Sequence, residues 1–312
     1  MKIKKARSVM DGFQRALEIA SEWSNGEEPF FWFRGVVDNT YDLLPGAHWR
    51  SIKEAYDEYE PLVTFSQEAV AYADVGYFND WKTYFLAQHH GIPTRLLDWT
   101  ESFSAAMFFA LDGAEASKTP CVWLLRPHKL NGYSIKWDGI LCPENIRECS
   151  LWLPKEQKDV ALQSMKDPDG YLYDKAHPLA IYPSKSNKRL IAQQGAFTVH
   201  GTDQRPLEKI ISEEFSKPEE VLARIDFEGL DLKQARHDLQ RLGVRRSSIY
   251  PDIDNFVKEL KEQYWPDVPK HMPTKTASTK SSPKKKAIKK KAVKKVAKKV
   301  VKKMIKKAAK KR

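Results

Sequence analysis

The chain has 312 residues, 41% of them hydrophobic and 11% aromatic, and carries a formal net charge of +12. That content is ample for a real core and fits one large domain or two small ones, and no stretch approaches the ~20 apolar residues of a membrane span. The average charge misleads: from His271 onward there are 18 Lys and one Arg with no acidic residue, which leaves 34 basic against 41 acidic residues over 1–270. An acidic globule is therefore joined to a strongly basic arm.

The N-terminus begins Met1-Lys-Ile-Lys-Lys, and Asp11, Gln14 and Arg15 interrupt any apolar run, so no signal peptide is expected. Val9, Phe13, Ala16, Leu17, Ala20 and Trp23 recur at helical spacing and predict an amphipathic helix over residues 8–23, stopped by Asn25-Gly26 and Pro29. The aromatic and β-branched run Phe30-Phe-Trp-Phe-Arg-Gly-Val-Val37 predicts a buried strand, with Phe31 and Phe33 on one face and Trp32 and Arg34 on the other. Helical patterns follow over 54–72 and 81–87, and Thr100 is the expected N-cap of an almost wholly apolar helix ending at Leu111. Residues 121–125 read as a strand, 128–180 give no clear order, and 181–182 and 189–191 read as strand pieces before a strand over 193–200. A strand over 222–227, a helix over 232–242 stopped by Gly243, and a helix over 253–264 complete the body. The elements mix without a regular βαβ rhythm, which predicts an α+β fold with a mixed or antiparallel sheet and packed helices. The three cysteines, Cys121, Cys142 and Cys149, are odd in number and lack metal-ligand spacing; free thiols in an intracellular protein, and no metal, are expected.

The densest chemistry lies in Gln88-His-His-Gly-Ile-Pro-Thr-Arg-Leu-Leu-Asp-Trp-Thr100, directly before the apolar helix. So many polar and titratable groups beside a buried element suggest a site, because desolvating them without partners is costly. Together with Phe33-Arg34-Gly35 and Arg189-Leu-Ile-Ala-Gln-Gln-Gly-Ala-Phe-Thr198, this stretch resembles the FRG domain family, named for its Phe/Tyr-Arg-Gly signature. The closing Leu242-Gly-Val and Ser-Ile-Tyr-Pro-Asp252 resemble the family's C-terminal end. The likeness spans residues ~10–262 and implies one FRG domain over 1–265, but it supplies no activity by itself.

A strand-borne aromatic-Arg-Gly also resembles the opening of arginine-type ADP-ribosyltransferases, where that arginine holds NAD phosphate or ribose. This looser likeness implies that Arg34 and Gly35 match the first element and Gln193-Gln194 the last. Gly195 and Ala196 then stand where the family's catalytic glutamate would be.

The residues themselves admit two readings. In the first they form a site for NAD or another phosphate-bearing ligand. Arg34 and Arg95 supply bidentate donors, Thr94 and Gly35 lie beside them, and the following helix offers unpaired N–H groups. His89 or His90 acts as acid, base or donor near neutral pH, Asp98 orients a histidine or a ribose hydroxyl, and Trp32 and Trp99 stack on a flat ring. In the second the network is architectural: Arg95 and Asp98 form an internal ion pair, Arg34 ties strand to loop, and one histidine is a satisfied core residue.

From Lys284 onward lysines in twos and threes alternate with apolar pairs such as Ala287-Ile288 and Val300-Val301. A four-residue repeat drifts around a helix, so no fixed apolar face forms, and lysine repulsion predicts a disordered arm. It resembles the tails of linker-histone-like proteins; residues 266–283 read as linker and 284–312 as a nucleic-acid-binding tail, with DNA or RNA contacted through 275–312. Acidic membrane surfaces or the body's own negative surface are the alternatives.

Two functions follow. One is an NAD-dependent, ADP-ribosyltransferase-like enzyme brought to nucleic acid by its tail, cytoplasmic or associated with nucleoid or chromatin. In it Arg34 grips phosphate, Gln193 and Gln194 face the reacting ribose, and Asp98 or Glu101 substitutes for the missing glutamate. The other is a non-catalytic nucleotide- or protein-binding module. A carboxylate in a pocket containing Arg34 favours the enzyme; its absence favours the module.

Overall fold

A computed structural model describes residues 1–24, 29–50, 58–72, 80–185 and 188–265. The chain divides into two units, Met1–Tyr264 and Trp265–Arg312. The linker and lysine-rich tail expected from residue 266, the Asn25-Gly26 break and the first residues of the helix expected over 54–72 lie outside the described residues.

The first unit opens with strand β1 (Lys2–Ala6), helix α1 (Val9–Trp23), β2 (Trp32–Val36) and α2 (Gly46–Arg50). Helices α3 (Tyr59–Ala69) and α4 (Trp81–His89) lead into β3 (Leu96–Thr100), α5 (Phe103–Leu111), β4 (Cys121–Leu125) and α6 (Pro127–Ser134). Next come α7 (Pro154–Lys158), the hairpin β5 (Ser164–Lys166) and β6 (Leu172–Asp174), β7 (Leu179–Ile181), α8 (Lys188–Ala192) and β8 (Gly195–Val199). The order ends with α9 (Leu207–Glu214), β9 (Leu222–Phe227), α10 (Leu232–Arg241), α11 (Arg246–Ile249) and α12 (Ile253–Tyr264).

Among the described residues seven strands form one mixed sheet in the order β1-β9-β4-β2-β3-β8-β7. Of these strands β1 and β9 pair in parallel and the other strand pairs are antiparallel, while Leu141 adds an isolated parallel bridge to Ile181 of β7. The α+β reading of the sequence therefore holds.

Cross-strand partners share a face, so the registers divide the sheet's side chains cleanly. Phe33, Val122, Leu124, Ala223, Ile225 and Phe227 pack under α1, α5 and α10. Further along, Leu96, Phe197, Val199, Leu179 and Ile181 pack with Leu62 of α3 and Tyr84 and Phe85 of α4. Trp32, Leu97, Trp99, Trp123 and Leu125 form a third cluster with Leu130 of α6 and Leu207 and Ile211 of α9. The first two clusters flank the middle of the sheet, and the candidate site opens between them.

The local structure departs from the sequence expectation around Thr100 and at residues 189–191. Residues 96–100 are a strand, and the N-cap of α5 is Ser102, whose hydroxyl accepts from Ala105 N at 3.3 Å. Thr100 instead donates from its hydroxyl to the Gln193 carbonyl at 2.6 Å, joining β3 to the turn before β8. Residues 189–191 lie in the short helix α8, not a strand. Gln194 then takes a left-handed conformation (φ 46°), a region non-glycine residues rarely adopt. Its carbonyl accepts from Glu101 N at 3.1 Å, which holds the turn.

Gly35 lets α5 lie directly on β2. A Cβ there would sit 1.7 Å from the Ala106 carbonyl oxygen. The constraint is close approach of helix to strand, since the position needs no positive φ.

Candidate functional site

A cavity of about 370 Å³ opens over β2, β3 and β8 between α4 and α5. Phe33, Arg34 and Gly35 line it from β2, Asp98, Trp99 and Thr100 from β3, and Phe197 from β8. Phe85, Gln88 and His89 line it from α4 and Phe109 from α5. Arg189 and Leu190 of α8, with Gln193 and Tyr250, complete the wall. The three motif blocks, far apart in the chain, thus meet at one concavity.

Arg34 occupies a split in the sheet. β2 and β3 are registered at a single pair, Phe33 with Thr100. Beyond it Arg34 Nη1 donates to the Asp98 carbonyl at 2.6 Å and lies 3.8 Å from the Asp98 carboxylate. A side-chain donor thereby bridges the strands where the ladder ends. Burial pulls the Arg34 guanidinium below its ordinary pKa, with Asp98 opposing.

The Asp98 carboxylate is exposed and aimed by a short relay. The Thr94 hydroxyl donates to Gln88 Oε1 at 2.6 Å, and Gln88 Nε2 donates to Asp98 Oδ2 at 3.1 Å. Thr94 also accepts from Leu96 N at 3.1 Å, fixing its hydroxyl as a donor to Gln88.

His89 closes α4, its ring 4.9 Å from that of His90. Burial first, then Arg189 and His90, hold the His89 imidazole below its ordinary value, against the pull of Asp98. It is therefore neutral at neutral pH and able to accept a proton. The Arg189 guanidinium lies 4.7 Å from the centre of the Tyr250 ring. Gln193 is oriented by Nε2 donating to the Ile249 carbonyl at 3.2 Å.

Of the ten residues that the sequence points to as site residues, Arg34, Gly35, His89, Asp98, Trp99 and Gln193 line this cavity. The other four do not. Arg95 is buried, its Nε paired with Glu58 and its Nη1 and Nη2 donating to the His200 and Trp152 carbonyls. Tyr84 accepts from Arg95 N at 2.9 Å and donates to Glu58 Oε2 at 3.0 Å. This guanidinium is consumed by the protein, so it is not a ligand-binding donor, and its ion-pair partner is Glu58 rather than Asp98. Thr94 acts one step back, through Gln88. His90 is the exposed C-cap of α4, and Gln194 is the exposed left-handed residue after α8.

Of the two tryptophans expected to stack on a ligand, Trp99 is among the residues that line the cavity and Trp32 is not. Both rings are buried in the third cluster, where Trp99 Nε1 donates to Thr198 Oγ1 at 3.0 Å. Phe33, Phe85, Phe109, Phe197 and Tyr250 are the other aromatic residues at the cavity. The N-terminal turn of α5 is not part of the wall, which takes only Phe109 from that helix. Glu101 is engaged by the Tyr182 hydroxyl and does not line the cavity.

Gln88, Arg189 and Tyr250 carry no assigned role in the sequence reading. Each lies inside a motif block, but only the fold turns them toward the same space.

Residues 30–119 match the FRG domain. The chain carries an FRG domain. The match covers β2 through α5, including Arg34, Gly35, Gln88, His89 and Asp98, whereas Arg189, Gln193 and Tyr250 lie beyond it. The matched segment thus supplies part of the cavity's wall, and later elements supply the rest. No curated protein and no solved structure matches the chain. Among the described residues no helix is long and apolar enough to cross a membrane, and no group of three or more His, Cys, Asp or Glu could hold a metal ion.

Proposed function

We propose that this cavity binds NAD and that the chain is an ADP-ribosyltransferase-like enzyme, brought to nucleic acid by its lysine-rich C-terminal segment. One observation carries the reading: a cavity containing Arg34 also holds a carboxylate, that of Asp98, beside a neutral imidazole. Its volume falls in the range of roughly 300–1,000 Å³ usual for small-molecule sites. Its wall combines cations, amides and flat rings, as a phosphate-bearing, partly aromatic ligand requires.

In the proposed reaction the C1′–N bond to nicotinamide breaks and nicotinamide leaves as a neutral base. The positive charge that develops on the ribose is stabilised by the Asp98 carboxylate, which Gln88 holds in place. The acceptor's oxygen or nitrogen forms the new bond to C1′, and its proton passes to His89. Gln193 takes a ribose hydroxyl through its amide oxygen.

A second reading is a nucleotide- or protein-binding module without catalysis. It is favoured by the absence of a carboxylate at the start of β8, where Gly195 and Ala196 stand, and by the existing contact of Arg34 with Asp98.

Incubation of the full chain with labelled NAD and DNA, RNA or cell extract, beside Asp98→Asn, separates these readings. The enzyme reading expects label transfer or nicotinamide release that falls at least roughly a hundredfold in the variant. NAD binding without turnover by the wild type selects the module. No binding at all removes both nucleotide readings.

A further inference from the structure

The two arginines of the cavity are not equivalent. Arg34 is already spent on Asp98, donating to its carbonyl and facing its carboxylate. Arg189 has no ion pair among the described residues, and its guanidinium lies instead against the Tyr250 ring at 4.7 Å. A guanidinium over an aromatic face keeps its N–H edge open, because the ring takes up the flat side. Tyr250 is itself braced at 6.0 Å from the Phe108 ring and 6.3 Å from the Phe109 ring, both on α5. The Gln193 amide fastens the end of α8 to Ile249, the residue before Tyr250. Arg189 and Tyr250 therefore form one prepared unit at the cavity wall, outside the segment that matches the FRG domain.

We infer that Arg189 is the residue that binds the ligand's phosphate, with Tyr250 positioning it, and that the site selects a phosphorylated nucleotide over the parent nucleoside. This rests on the nucleotide reading of the cavity and changes its assignment: Arg34 orders β3 and Asp98, whereas Arg189 makes the anion contact. The lining charges agree. Arg34 and Asp98 cancel and His89 is neutral, so Arg189 leaves the cavity one net positive charge.

Titration calorimetry on the full chain with ADP-ribose, adenosine and inorganic pyrophosphate tests this against Arg189→Ala, Tyr250→Phe and Tyr250→Leu. ADP-ribose and pyrophosphate are expected to lose at least roughly tenfold in affinity in Arg189→Ala, the loss of a charge-assisted hydrogen bond, while adenosine is unchanged. Tyr250→Phe keeps the ring and is expected to keep affinity. Tyr250→Leu should reproduce the Arg189→Ala loss, and the double variant should add nothing further, which a merely structural role would not produce. Unchanged ADP-ribose binding in Arg189→Ala overturns the inference and leaves the NAD reading intact. Arg189-dependent binding of pyrophosphate without any binding of ADP-ribose or NAD supports the anion contact and removes the NAD reading. No binding of any of the three overturns both.

Discussion

Arg34 Nη1 donates to the main-chain oxygen of Asp98, 64 residues later, at 2.6 Å. The bond spans the opening between β2 and β3 beyond their single registered pair. Each residue of the Phe-Arg-Gly motif thereby has a physical role. The phenylalanine pairs with Thr100, the arginine bridges the gap, and the glycine admits α5.

Arg34→Ala should therefore destabilise the fold as well as weaken ligand binding. Loss of one hydrogen bond from a charged donor predicts a cost of about 1.5–3 kcal/mol in urea unfolding. Arg34→Lys should recover only part of it, because an ammonium does not reproduce the planar fork. Wild-type stability in Arg34→Ala contradicts the bridging role.

Gly35→Ala should be more damaging than Gly91→Ala. At Gly35 the new methyl meets the Ala106 carbonyl, so α5 must move off the sheet, with a cost of about 3 kcal/mol or more. Gly91 has open space and a φ of 85°, so only backbone strain of about 1 kcal/mol is expected. Thermal unfolding of the two variants gives the order directly.

Breaking the buried Arg95–Glu58 pair predicts a purely structural defect. Arg95→Ala leaves Glu58 uncompensated and should cost about 3–5 kcal/mol. Ligand affinity measured on the folded fraction should be unchanged, because Arg95 does not line the cavity. A selective loss of affinity at normal stability would return Arg95 to the site.

These cases show what is legible in the sequence. The three blocks announce themselves through local polar density, and the strand carrying Arg34 through its aromatic run. Arg95 reads wrongly as a site residue because its partners, Glu58, Trp152 and His200, come from distant positions that no local spacing reveals. The strand at 96–100 escapes the sequence pattern because four of its five residues are buried, which erases the alternation that marks a half-exposed strand. Arg189 and Tyr250 are visible as motif residues, but their meeting is a tertiary fact.

Acid should unfold the first unit through two facing histidines. The His48 and His200 rings lie 5.6 Å apart, beside Arg95, with Asp203 as the counter-charge. Burial pushes His48 down to about 4 and His200 down to about 3. His200 is fully buried, so a charge on its ring is desolvated. Both pKa values are lower folded than unfolded, so their stabilising contribution is complete above about pH 6.5. It is lost as pH falls toward 4 and then 3, with each group adding a slope of up to about 1.4 kcal/mol per pH unit. His200→Gln should flatten the pH dependence of urea unfolding; an unchanged slope contradicts this origin.

Binding of nucleic acid should depend on the lysine-rich segment. The full chain is expected to bind DNA or RNA with a steep fall in affinity as salt rises, whereas residues 1–265 should lose most of that affinity at moderate salt. Equal affinity of the two in filter binding would show that the lysine-rich segment does not make the nucleic-acid contact.

Hydrogen exchange of the full chain with and without NAD reads ligand binding at the cavity segment by segment. Slowed exchange is expected in three separate peptides, around residues 33–35, 88–100 and 188–194, because these meet at the cavity. Protection confined to any other part of the chain, or none at saturating NAD, would contradict NAD binding there.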